Sequence, residues 1–297
     1  MDTTPIISVN NLTKYYGSAL GVQNISFTVN QGEIFGFLGP NGAGKTTTIR
    51  LLLDLLRPSS GEIKIFGHGI ESHSLEIRSR CGYLPGNFFA YSNMTGADFL
   101  RFVASMRKAK SGMQENLIDR LQLSKDDLSL KIKHLSHGML QKLGIIQAFF
   151  HQPDLLILDE PTIGLDPLMQ EELYRLLREM QNEGKTILFS SHNLPEVEKV
   201  CHRIAIIREG ELVALETLEG LKKIKLKRLQ FTLSRPVTGL DLPGANLVAQ
   251  KDLSYEYFVE GDLPTLLQRL STLPIEDVTF PEPDLEEVFM AYYRKEE

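Results

Sequence analysis

The chain has no tryptophan, and only two cysteines among 297 residues. Cys81 and Cys201 are too few for a disulfide framework or a thiolate cluster. Both are therefore expected as core thiols in a reducing compartment. No stretch approaches the roughly 18 consecutive apolar residues of a membrane span. Residues 1–5 do not lead from a basic segment into an apolar one, so neither membrane insertion nor a secretory signal is expected. Basic residues are not in excess either. Lys and Arg number 32 against 38 Asp and Glu, a net charge of −6, which argues against a nucleic-acid partner. Sustained heptads are missing too, which excludes a long coiled coil. What remains, 42% hydrophobic and 24% charged, is the composition of a soluble globular chain. At about 150 residues per domain, the length suits one large domain or two ordinary ones.

Against these absences stands one complete motif. Gly39-Pro40-Asn41-Gly42-Ala43-Gly44-Lys45-Thr46 fills the phosphate-loop template at every fixed position. A short apolar run, Ile34-Phe35-Gly36-Phe37-Leu38, precedes it and reads as a buried strand. Thr47-Thr48-Ile49-Arg50-Leu51-Leu52-Leu53 follows as the first turns of a helix. That context predicts backbone N–H groups converging on one anion at a positive helix end. Lys45 would reach the β- and γ-phosphates of a nucleotide, and the Thr46 hydroxyl would meet Mg²⁺.

Further along, Leu155-Leu156-Ile157-Leu158-Asp159-Glu160 runs four apolar residues into two acids. It predicts carboxylates at the C-terminal edge of a buried strand, where open α/β sheets bind ligands. Asp159 suits the Mg²⁺ shell, directly or through water, and Glu160 suits general-base activation of the attacking water. Leu135-Ser136-His137-Gly138-Met139 opens a helix, with Ser136 as its cap and Gly138 permitting close approach of a phosphate.

Periodicity sorts the remainder. Ile7, Val9 and Leu12, then Ile25, Phe27 and Val29, alternate as a small β layer, and Gly61-Glu62-Ile63-Lys64-Ile65-Phe66-Gly67 adds a short strand. Phe99, Phe102, Val103 and Met106 predict one buried helix face in a helical middle. The runs 155–158, 186–190 and 204–207 read as parallel strands buried on both sides. The basic run 222–228 reads as a solvated linker or strand edge, with no aromatics to suggest nucleic acid. Beyond it, Leu229/Phe231/Leu233 and Tyr255/Tyr257/Val259 alternate as strands. Leu263, Leu266, Leu267 and Leu270 suggest a helix, and Asp284 is placed to cap a last one.

Over residues 7–215 the chain resembles the nucleotide-binding subunit of an ABC transporter, its motifs standing in that family's order. Leu135-Ser136-His137-Gly138-Met139 is similar to the signature usually written LSGGQ. Gly164-Leu165-Asp166-Pro167 is similar to the loop joining the two active sites of a dimer. Ser190-Ser191-His192 resembles the switch carrying a histidine that touches the γ-phosphate, and Tyr16 resembles the aromatic that stacks on adenine. The resemblance implies an α/β P-loop ATPase core over residues 1–220, with an antiparallel β layer and a helical subdomain at about 87–150. A small α+β accessory domain would occupy residues 221–297. It implies a homodimer enclosing two ATP molecules with Mg²⁺, in which Ser136, Gly138 and Asp166 serve the site shared with the partner. A separate membrane permease would be driven from the cytoplasmic face.

Three positions depart from the family pattern. His137 stands for a glycine and Met139 for a glutamine in the signature. Gly86, in Tyr83-Leu84-Pro85-Gly86-Asn87, stands for a glutamine that helps bind Mg²⁺ and senses the permease. Phe88, Phe89 and Tyr91 fall where that permease would dock. Residues 284–293 resemble the tail of exporter subunits for drugs, lipids or polysaccharides. The rival readings fit less well. A soluble translation or resistance ATPase of this type carries two cassettes, a repair ATPase carries a coiled coil, and a nucleotide-gated scaffold would have lost Glu160.

Overall fold

The computed structural model describes residues 5–107, 113–223, 227–237, 240–259 and 262–281. The chain divides into two compact units, Met1–Leu218 and Glu219–Glu297.

The first unit opens with a long hairpin, β1 (Pro5–Tyr16) and β2 (Ala19–Asn30). Then come β3 (Ile34–Leu38), α1 (Lys45–Leu52), β4 (Ser60–Ile65), the short β5 (His68–Gly69), α2 (Ile70–Ser79) and β6 (Cys81–Leu84). A helical stretch follows, with α3 (Gly96–Met106), α4 (Met113–Arg120), α5 (Lys125–Ser129) and α6 (His137–Phe149). The chain then alternates β7 (Leu155–Asp159), α7 (Pro167–Asn182), β8 (Thr186–Ser191), α8 (Leu194–Val200) and β9 (Arg203–Arg208), and closes with β10 (Glu211–Thr217).

Two sheets share one core. The antiparallel layer runs β2-β1-β4-β5, and the larger sheet runs β10-β9-β3-β8-β7-β6. In the larger sheet every neighbour is parallel except β10, which folds back on β9. The expected alternation is present: Ile7, Val9, Leu12, Ile25, Phe27 and Val29 are all buried. Phe27 of the small layer stacks on Phe35 of β3 with ring centres 5.6 Å apart, and lies 5.6 Å from Phe37. A truncation such as Phe35→Ala in this seam is expected to cost about 3–5 kcal/mol. The anticipated parallel strands are buried end to end, as two-sided packing requires. Both cysteines are buried, and burial pushes the Cys81 thiol up to about 12.

The helical stretch differs from its expected pattern. Phe99 and Leu100 of α3 are buried, and Phe99 meets the ring of Phe88 edge-on at 5.8 Å. Phe102 and Met106, however, are 39% and 69% exposed. The apolar stripe turns outward along the helix, because spacing identifies a face but not what covers it. A clamp fixes the same stretch on the strand-helix core: Arg120, the last residue of α4, donates to Glu172 at 2.5 Å and to both carboxylate oxygens of Glu179 on α7, at 2.5 and 2.9 Å.

At the division between the units begins α9 (Leu218–Lys223). The second unit then holds β11 (Lys227–Leu233), β12 (Ala245–Lys251), β13 (Ser254–Val259), α10 (Leu263–Leu270) and β14 (Ile275–Thr279). Its sheet runs β12-β13-β11-β14, antiparallel throughout. Leu266 and Leu270 of α10 join Leu229, Phe231, Leu233, Tyr257 and Val259 in a separate core. The basic run 222–228 is neither linker nor edge where it is described. Its first residues end α9, and Arg228 sits in an interior strand, paired with Glu256. Cross-strand pairing and an acidic neighbour hold a charge inside a sheet where composition alone suggested solvent. Asp284 and its proposed helix lie outside the described residues.

Candidate active site

Three strand ends of the larger sheet meet at one edge. β3 delivers residues 39–44 into α1, β7 delivers Asp159 and Glu160, and β8 delivers Ser190, Ser191 and His192. Parallel pairing sets the register: Leu38 lies beside Ser191, and Asp159 beside Ser190. The loop before α1 needs its glycines. Gly44 adopts φ +110°, and a Cβ on Gly39 would lie 2.2 Å from the carbonyl oxygen of Ile207. Asn41 and Gly42 are exposed at the tip of this loop, whereas Ala43 is buried and donates its N–H to Pro40.

The polar side chains close on one another. Lys45, almost wholly buried, donates to the carbonyls of Gly39 at 2.5 Å and Pro40 at 3.1 Å, and its Nζ lies 3.1 Å from Glu160 Oε1. Thr46 Oγ1 donates to Asp159 Oδ2 at 2.7 Å. His192 Nδ1 is 2.7 Å from Glu160 Oε2. Glu160 takes the left-handed conformation, φ +51°, which turns its carboxylate away from the line of β7. For a residue with a Cβ this conformation costs about 1–2 kcal/mol, so the surroundings must hold it. Tyr83, at the end of β6, also feels the cluster. Its hydroxyl is pushed up to about 12, first by burial and then by the Asp159 carboxylate.

The remaining sequence-predicted residues fall in two places. Tyr16, at the end of β1, is 44% exposed, and its hydroxyl lies 3.3 Å from Thr47 Oγ1 at the start of α1, so its ring flanks the phosphate loop. Ser136, Gly138 and Asp166 lie elsewhere. Ser136 caps α6 by accepting from Met139 N at 3.2 Å, and Asp166 caps α7 by accepting from Met169 N at 3.0 Å. Gly138 lies against the other loop, since a Cβ there would meet the Gly164 carbonyl at 2.6 Å. Among the described residues, hydrogen bonds do not link these three to the Lys45 cluster.

Several participants escaped the sequence reading. Ser190 bonds Asp159, and Glu196 accepts from both Thr162 and Ser191 at 2.9 and 2.7 Å, tying the loop after Glu160 to the loop of His192. Gln141 of α6 reaches the Pro161 carbonyl at 2.9 Å. The only signal for the first of these was the doubled serine before His192, which was read for its histidine.

The donor set at Thr46 and Asp159 is all oxygen, one hydroxyl and one carboxylate 2.7 Å apart, which fits a hard divalent ion that keeps several waters. Gly86 lies beside it, its absent Cβ 3.4 Å from Asp159 Oδ2, and offers no side-chain ligand.

Comparison with known proteins identifies the family. Residues 22–163 match the family model described as ABC transporter. The chain is 42% identical over 231 residues to the bacitracin transport ATP-binding protein BcrA of Bacillus licheniformis, covering 77% of this chain and 75% of that protein. It is 37% identical over 220 residues to the Nod factor export ATP-binding protein I of Ralstonia nicotianae, covering 71% and 67%. A solved ATP-binding subunit of an ABC transporter superposes with a TM-score of 0.68 at 32% identity, covering 73% of this chain and 92% of that one. A bacterial ABC transporter cassette solved as a dimer gives 0.65 at 25% identity, covering 71% and 98%. The chain therefore belongs to this family, as an ATP-binding and ATP-hydrolysing subunit of an ABC transporter.

Proposed function

We propose that the protein is the motor of an ABC exporter, closing as a homodimer around two ATP molecules and driving a separately encoded membrane permease from the cytoplasmic face. The observation that carries this reading is the convergence of Lys45, Thr46, Asp159, Glu160 and His192, from three strand ends, into one hydrogen-bonded cluster.

Each side chain has a task in that cluster. Residues 39–46 cradle the phosphates through backbone N–H groups, and Lys45 exchanges its Glu160 partner for the β- and γ-phosphate oxygens. Glu160, released from Lys45, takes the proton of the attacking water, and His192 holds the carboxylate in place from its other oxygen. Tyr16 stacks on the adenine ring. Thr46 and Asp159 would hold Mg²⁺, which when bound neutralises charge developing on the transferred phosphoryl group. Ser136, Gly138 and Asp166 complete the site of the partner subunit. That arrangement is consistent with their separation from the Lys45 cluster within one chain, and with the dimeric form of a similar cassette.

The permease is expected on the outward aromatic face of the helical stretch. Phe89 is 84% exposed and Tyr91 64% exposed, with Tyr91 packed edge-on against Phe102 at 5.9 Å. Among the described residues no helix is long and apolar enough to cross a membrane. The relatives named for bacitracin transport and Nod factor export support an exporter. The test is gel filtration of Glu160→Gln with ATP and Mg²⁺. A dimer that dissolves when nucleotide is removed is expected, and a monomer under all conditions would refute the sandwich.

A further inference from the structure

We infer that Ser190 is a positioning residue for hydrolysis, holding Glu160 in its left-handed turn by joining the Glu160 backbone to the Asp159 carboxylate. The inference rests on the reading of Glu160 as the general base.

Ser190 is completely buried at the end of β8, in register with Asp159 on one side and with Phe37 on the other. Its single hydroxyl has two assignments. It donates to Asp159 Oδ1 at 2.6 Å and accepts from Glu160 N at 3.1 Å. The Ser190 carbonyl accepts from the same Glu160 N–H at 3.2 Å, so that N–H is shared between two oxygens of one residue. With Thr46 on Asp159 Oδ2, both oxygens of Asp159 are fixed, one from α1 and one from β8.

The consequence follows from the strain at the next residue. Glu160 holds φ +51°, a conformation that residues with a side chain adopt only when surroundings impose it. Its side chain is gripped by Lys45 and His192, but the proposed chemistry requires Lys45 to leave for a phosphate. Through that exchange His192 still holds one carboxylate oxygen, and the turn itself is held at the backbone by Ser190. A hydroxyl suits the task because it donates and accepts at once. Alanine would retain the carbonyl bond, but would leave Asp159 Oδ1 without this donor and the turn without its second acceptor.

The test measures steady-state ATP hydrolysis by the full-length protein. Outer-shell partners of this kind typically cost about 10–100-fold in activity when removed. Ser190→Ala is expected to lose that much kcat while its KM for ATP and its binding of a fluorescent ATP analogue stay near wild type. Ser190→Thr, which keeps the hydroxyl, should recover most of the rate. Ser190→Cys, similar in size with a weak donor, should fall between, and serves if the alanine variant melts below the assay temperature. The decisive reading is non-additivity: in a Glu160→Gln background, Ser190→Ala should lower the residual rate far less than it does alone. Equal fold-losses in both backgrounds, or wild-type kcat in Ser190→Ala, would overturn the proposal. Wild-type turnover in Glu160→Gln by itself would remove the general-base reading, and this role of Ser190 with it.

Discussion

Helices α1 and α6 both start from loops that the sequence marks for phosphate, yet they finish their first turns differently. A helix start leaves four N–H groups without intrahelical partners. Before α1 stands Gly44, left-handed and without a side chain, so no hydroxyl or carboxylate at the cap position accepts from the turn. Before α6 stands Ser136, whose hydroxyl takes Met139 N for itself. Around α1 the neighbours are Lys45, Asp159, Glu160 and His192, whereas around α6 they are Gly164 and an exposed His137. By the proposed function the first start holds an anion within its own chain. At the second, Ser136 already satisfies Met139 N, and the proposed function gives this start to the phosphate of the partner subunit.

The largest expected effect breaks the first start. Glu160→Gln should slow hydrolysis by the ~10²–10⁴-fold typical of losing a general base, with nucleotide binding preserved. Lys45→Ala should instead weaken binding itself, because the cation that meets the phosphates is gone. Steady-state ATPase assays beside equilibrium binding of a fluorescent ATP analogue separate the two. If Lys45→Ala bound nucleotide as tightly as wild type, the loop would be only a glycine-rich turn.

Next in size is a way to sharpen the contrast at α6. Ser136→Asp keeps a side-chain acceptor, so the helix should retain its cap and the melting temperature should hold. The new carboxylate would nevertheless meet a partner's phosphate with like charge, and ATPase activity should fall by roughly tenfold or more, as about 1.4 kcal/mol of repulsion would require. Ser136→Ala reverses the pattern on the stability side, losing about 0.5–2 kcal/mol of cap. Full activity in Ser136→Asp would mean that α6 meets no phosphate in either subunit.

How much of this could be read beforehand depends on whether the information is local. The phosphate loop, the acids closing β7 and the cap at Ser136 are local patterns, each legible because a few consecutive residues fix the backbone, whereas the cap at Asp166 was not foreseen. Strands buried on both faces were equally plain. Cys81–Leu84 and Glu211–Thr217 were not foreseen as strands. The first is short and broken by Gly82, and the second is largely half-exposed at a sheet edge. The roles of Ser190 and Glu196 are invisible in sequence, because the first arises from strands registered 30 or more residues apart and the second from a helix meeting a loop 34 residues away. The outward turn of Phe102 and Met106 was missed for the opposite reason: periodicity was present, but the described chain covers Phe102 only in part, beside Tyr91, and leaves Met106 largely open.

A smaller effect is expected at the start of α7, capped like α6 but by a carboxylate. Asp166→Ala should lower stability by about 0.5–2 kcal/mol, and Asp166→Asn should restore most of it, since an amide oxygen still accepts from Met169 N. Denaturant melts of the three proteins read this directly. If Asp166→Asn is stable but loses ATPase activity, then Asp166 has a task between subunits beyond its cap, and α7 belongs with α6 as a helix start that serves the partner.

The smallest effect lies in the second unit, where α10 starts with no phosphate to serve. Asp262 accepts from Thr265 N at 3.1 Å and from Thr265 Oγ1 at 2.7 Å. Those bonds, the side-chain one first, hold its carboxyl below the usual aspartate range. A carboxyl with a lower pKa in the folded state binds fewer protons there than in the unfolded chain, so stability rises with pH across the interval between the two values. The Asp262 contribution is therefore full above the unfolded aspartate value of about 3.9, and is lost as pH falls through the lower folded value. Asp262→Asn caps without titrating, so the difference in stability between wild type and this variant should be flat near neutrality and shrink on acidification below pH ~4. Exposure keeps the change small, and a difference measurement is needed because other acids titrate in the same interval. Hydrogen exchange of the α10 amides in both proteins across that range is the direct readout. An α10 that opens equally in both across that range would mean that the charge on Asp262 adds nothing to the cap that asparagine keeps.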